Sequence, residues 1–139
     1  MKTVPISFRP SKDLDDRLDR MRDRTGVPKG RLVEELADEA ERSRRYPGLA
    51  FRGDQGRRRP WVIGTHFDVW EIILAWQDLA QDERAILDQL QIQPNHLRLA
   101  LAFYREFPEE IDLALRLQRR SLDELVREYP FIDVATANG

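Results

Sequence analysis

Side chains able to do chemistry are sparse and scattered along this 139-residue chain. Its two histidines, His66 and His96, stand thirty positions apart, outside any spacing that presents two imidazoles to one metal ion. Cysteine is absent, which excludes disulfides, thiolate metal sites and thiol nucleophiles. The carboxylates Glu109, Glu110 and Asp112 cluster, yet an acidic run beside a helix end is ordinarily solvated charge rather than a cation cage. Neither a glycine-rich phosphate cradle nor a nucleophile elbow is present. The chemistry on offer is recognition, and the expectation is a protein that is not an enzyme and needs no cofactor.

Cations are what the chain has in quantity, and they are not evenly placed. Residues 1 to 59 carry sixteen Lys and Arg against eleven Asp and Glu, whereas residues 60 to 139 carry seven against fourteen. A basic front joined to an acidic back fits a polyanion at one end and a different partner at the other. Arg57, Arg58 and Arg59 form the densest basic run, suited to clamping phosphates or to a narrow minor groove. Near the start, Thr3, Ser7 and Arg9 alternate with apolar Val4, Ile6 and Phe8, so they share one face of an extended segment. Such a polar ribbon face offers hydrogen-bonding groups to base edges in a major groove. Asn95, His96, Arg98 and Arg105 are also groove-compatible types. Their neighbours Glu106, Glu109 and Glu110 repel phosphate, which favours a structural or partner-binding role for that stretch.

These residues need elements to position them. The alternation over residues 3 to 9 predicts a β-strand with one wet side; Pro5 must then sit where no ladder donor is needed. Ser11 caps a helix to about Arg24, with Leu14, Leu18 and Met21 at helical spacing, and Thr25-Gly26 stops it. A second helix starts near Pro28-Lys29-Gly30, carries Leu32, Val33, Leu36, Ala37 and Ala40 as an inner stripe, and ends around Arg45. Strand, helix, helix in 45 residues cannot fold alone, because a single strand has no ladder partner. Two copies pairing their strands, with four helices over the apolar face, satisfy both demands.

This first third resembles the ribbon-helix-helix repressors, through Val4 to Arg9, the Leu14/Leu18/Met21 stripe, Gly26-Val27 and the Leu32/Val33/Leu36 helix. The resemblance implies an intertwined homodimer on operator DNA. It also implies that the exposed strand face reads bases while the start of the second helix, here Lys29, Gly30 and Arg31, holds a phosphate through backbone N–H groups.

Residues 46 to 60 read as a Gly/Arg-rich connector. A helix-turn-helix-like unit follows over 61 to 112. Thr65 and Asp68 form a capping-box-like start, Asp82 opens a second helix, and Pro94 opens a third from Asn95 to about Phe107. Trp61, Trp70 and Trp76 fit either a core stripe or an interface. Residues 113 to 139 read as a C-terminal helix, with Ser121 to Glu124 as a capping box, and a tail. Tyr129, Phe131 and Ile132 belong to no helical stripe, so this extended segment either folds back on its own domain or anchors a partner.

Tyr46 to Leu49, Gly64-Thr65 with Val69, Leu97 to Tyr104 and Pro108 to Asp112 together resemble the uncharacterised domain family numbered 433. Its members are treated as VapB-like antitoxins encoded beside PIN-like ribonuclease toxins. His66 departs from that pattern, where arginine is expected, and the connector is longer. The fold expected is therefore mainly α: an N-terminal ribbon-helix-helix, a small helix-turn-helix-like domain, and a C-terminal helix with its tail. The function implied is that of a type II antitoxin, a cytoplasmic autorepressor that binds operator DNA as a dimer, or a higher oligomer, and neutralises a toxin. A stand-alone ribbon-helix-helix regulator without a toxin is the alternative. No stretch is apolar enough to suggest a membrane span or a leader.

Overall fold

A computed structural model describes residues 2 to 129. Within them the chain is mainly helical, with one small antiparallel sheet. Helix α1 spans Lys12–Thr25 and α2 spans Lys29–Arg45. Strands β1, Leu49–Arg52, and β2, Arg59–Val62, follow, and then α3, Val69–Asp78, and α4, Glu83–Leu90. Helices α5, Pro94–Glu106, and α6, Pro108–Glu128, complete the order. No helix among the described residues is long and apolar enough to cross a membrane.

The first helix forms where its sequence says it should. The Ser11 side chain accepts from the Leu14 N–H at 3.1 Å, satisfying one of the orphan donors of the first turn. At the other end Gly26 adopts a left-handed conformation, φ 75°, and its N–H reaches the Arg22 carbonyl. Lys29, in the first turn of α2, ties the two helices together through Asp15 and Asp19. Only Leu18 of α1 and Leu32 of α2 are buried apolar side chains in this pair.

Three expectations need correction here. Residues 3 to 9 form no strand within the single chain, and Val4, Ile6 and Phe8 are 76%, 83% and 55% exposed. The only sheet among the described residues pairs β1 with β2 alone, so these residues have no ladder within one chain. The inner stripe of α2 is also largely open, since Leu36 is 42% exposed and Ala37 and Ala40 are exposed too. Instead α2 turns Glu35, Glu39 and Arg42 toward the rest of the chain. Finally, residues 46 to 60 are no loose connector. β1 and β2 pair antiparallel within and beyond that stretch, matching Leu49 to Val62, Ala50 to Trp61, Phe51 to Pro60 and Arg52 to Arg59. Pro60 is tolerated because a two-stranded sheet consists only of edges.

Helices α3 to α6 build the main core with the hairpin on one side. Leu49, Val62, Ile72, Ile73, Leu97 and Phe103 are among its buried members, and Ile111 and Leu115 of α6 close it. Trp70 and Trp76 pack partly buried against this core. Capping fixes where each helix begins. Asp68, rather than Thr65, is the N-cap of α3, in a reciprocal box with Glu71. Thr65 is used one turn earlier: its hydroxyl accepts from the Phe67 N–H and donates to the Val62 carbonyl. Asp82 caps α4, and Pro94 occupies the first turn of α5, as the sequence indicates. The break expected near residue 112 does not occur, because α6 runs unbroken through Ser121. Its stripe continues as Leu122, Leu125 and Val126, which stand outside the core cluster.

Candidate nucleic-acid interface

The residues expected to meet DNA fall into two sets. Thr3, Ser7 and Arg9 are exposed and make no side-chain hydrogen bond or ion pair with the other described residues. Gly30 lies in open space at the start of α2, and Arg31 beside it is exposed, its charge felt by Glu35 one turn further on. Lys29 differs: its ammonium is held by Asp15 and Asp19, and those hydrogen bonds push its pKa above the usual lysine value. The same contact lowers Asp19. Lys29 is thus a lock on the α1–α2 turn, and the backbone N–H groups beside it are what that helix start offers an anion.

The arginine run is divided by the hairpin. Arg58 turns inward, donating to Glu39 at 2.7 and 3.2 Å and to the carbonyls of Gly53 and Phe51. Glu35 lies further off at 3.9 Å, and burial, with the nearby Glu39, raises its pKa. Arg59 meets the buried Asp68 at 2.6 Å, and Arg52, its cross-strand neighbour, meets the other oxygen of the same carboxylate at 2.8 Å. Asp68 therefore stands at the N-cap of α3, its backbone extended and its carboxylate between two guanidinium groups. Arg57 alone of the three is both exposed and without an ion pair among the described residues. Gly53 adopts φ 114°, and a Cβ there would lie 2.4 Å from the Arg57 carbonyl oxygen, so the tip is closed tightly.

Arg42 and Arg45 carry roles that the sequence did not signal. The Arg42 guanidinium lies 4.6 Å over Phe51, 4.9 Å over Phe107 and 5.5 Å over Phe103, and it pairs with Glu110 and Asp38. Arg45 and the Tyr46 hydroxyl both reach Glu106 at 2.6 Å. Those two donors hold the Glu106 carboxyl below its usual range, and the Tyr46 phenol is raised in turn. The seam they form joins the last turns of α2 to the corner between α5 and α6. A signal was available only in the periodicity: Arg42 stands three and seven positions after Glu39 and Glu35, on the face that meets the hairpin.

Tyr129 caps the end of α6, its N–H on the Leu125 carbonyl. Phe131 and Ile132 lie outside the described residues. His66 is exposed, and only its carbonyl is engaged, by Arg52 at 3.0 Å. Asp15, Asp16 and Asp19 come close together on α1, but Lys29 already neutralises two of them. No family model, curated protein or solved structure matches the chain.

Proposed function

We propose that this chain is a DNA-binding antitoxin of the type II class. In this reading two copies pair residues 3 to 9 into a ribbon on operator DNA, repressing their own synthesis, while the acidic C-terminal part neutralises a toxin. The observation that carries the reading is the uncovered apolar surface at the N-terminal end. Val4, Ile6 and Phe8 alternate with Thr3, Ser7 and Arg9 and lie bare, and the Leu36, Ala37 and Ala40 row of α2 is bare as well. A second copy buries both at once and leaves the polar ribbon face outward.

On this reading Thr3, Ser7 and Arg9 contact bases, and the N–H groups at Lys29, Gly30 and Arg31 take a phosphate. The partner-binding surface is the outer half of α6, with Leu122, Leu125 and Val126, continued by Tyr129, Phe131 and Ile132. A PIN-like ribonuclease is the toxin that the domain resemblance implies. A regulator without a toxin is the second reading, favoured by the closed core of α3 to α6, which needs no partner to complete it.

The test combines sedimentation of the full chain at micromolar concentration with gel shifts on its own upstream DNA. A dimer that retards this DNA, and loses the shift when Thr3, Ser7 and Arg9 become alanine, is the expected result. A folded monomer, or a shift indifferent to those three residues, overturns the proposal. Co-purification with the product of the adjacent gene separates antitoxin from stand-alone regulator.

A further inference from the structure

We propose that the tip of the β1–β2 hairpin is a second anchor on the nucleic-acid backbone, with Arg57 pairing with a phosphate outside the groove the ribbon enters. The proposal rests on the DNA-binding reading above and adds a contact that a ribbon-helix-helix unit by itself does not possess. Three observations carry it.

The tip is fixed to α2, and near the relevant end of it. Arg58 binds Glu39, and Gln55, with its amide nitrogen turned to Glu35, donates to both oxygens of that carboxylate at 3.0 and 3.2 Å. Glu35 lies six residues after Lys29, about 9 Å along the axis at the helical rise. Arg31 is one turn before Glu35 on the same face and adds its positive charge there, while Arg57 is exposed at the tip and without an ion pair among the described residues. The hairpin is thus tied to the middle of the same helix whose start offers N–H groups to a phosphate.

The tip is also tightly closed and suitably charged. Tight closure at Gly53 fixes the Arg57 backbone, and Arg58 and Gln55 satisfy the Glu39 and Glu35 carboxylates that would otherwise repel a polyanion. Asp54 is the opposing charge at the tip, exposed and without an ion pair among the described residues. Of the open row of α2, Ala37 is two positions from Glu35 and so about 200° around the helix from it, whereas Leu36 lines the same cleft as Gln55 and Arg58.

The experiment is fluorescence anisotropy of the full chain on a labelled duplex of its upstream DNA, titrated across salt concentrations. Each lost phosphate contact lowers the slope of log K against log salt by about 0.9, so Arg57→Ala should lower it by about 2 for a dimer. Arg57→Lys should keep the slope, and Asp54→Asn should tighten binding. Arg44→Ala, which removes an equally exposed cation at the far end of α2, should leave the slope unchanged. Wild-type binding with an unaltered slope for Arg57→Ala, or an equal loss for Arg44→Ala, overturns this inference and leaves the DNA-binding reading standing. Absence of wild-type binding overturns both.

Discussion

Arg42 and Glu110, sixty-eight positions apart in the chain, meet at 2.6 Å. The contact ties the C-terminal part of α2 to the first turn of α6, and the aromatic rings of Phe51, Phe103 and Phe107 surround the guanidinium that makes it. The consequence is that α2 belongs to both halves of the chain: its first turns pack on α1, and its last turns pack on the helical core.

Replacing Arg42 tests this seam. Arg42→Ala removes a buried stem and three ring contacts, and it should cost about 2–4 kcal/mol in urea denaturation. Arg42→Lys keeps the charge but not the planar stack, so it should recover less than half of that loss. A cost under 0.5 kcal/mol for Arg42→Ala, of the order seen at ordinary surface sites, contradicts the assignment.

Asp68 does two jobs, and two substitutions separate them. Asp68→Asn keeps a capping oxygen and loses the charge that binds Arg52 and Arg59, while Asp68→Ala loses both. The alanine variant should be the less stable by about 1 kcal/mol, the usual worth of an N-cap. Thermal melting of the two variants side by side measures the difference, and equal midpoints refute the dual role.

Acid should weaken the α2–α5 seam. Glu106 has its pKa lowered by Arg45 and Tyr46, so its contribution is present above the unfolded carboxylate value of 4.5 and is lost as pH falls through the lower folded value. Glu35 runs the other way. Burial raises its pKa, so its ionised form opposes folding, and that penalty appears as pH rises through the raised value. Glu106→Gln should therefore flatten the acid limb of a stability–pH profile, whereas Glu35→Gln should stabilise the protein near neutrality and not at pH 4. A profile unchanged by either substitution rejects the corresponding assignment.

How much of this was legible in the sequence depends on where each signal resides. The limits of α1 and the starts of α4 and α5 are local, written in Ser11, Gly26, Asp82 and Pro94, and they were readable. The hairpin was not, because Gly48, Gly53, Gly56 and three arginines mimic a linker. Only its tertiary partners, Glu39 and Asp68, turn Arg58 and Arg59 into structural residues. The helix from Val69 was readable, but its capping box was drawn from Thr65 to Asp68 rather than from Asp68 to Glu71, because Thr65 and Asp68 are both capping types. Arg42 was hidden for a similar reason, since an arginine in a charged helix reads as solvated until its aromatic box is assembled from β1 and α5. Of the candidate interface, the polar face of residues 3 to 9 could be named in advance. That Arg57 alone among its neighbours stays free could not.

A shared α2 has a mechanical meaning. At 1.5 Å per residue its 17 residues form a rod of about 25 Å with one end gripped by the α5–α6 corner and the other tied to α1 through Lys29. A few degrees of tilt imposed at either end becomes an ångström-scale displacement at the other, so the two ends of the molecule are geared to one another rather than strung on a tether.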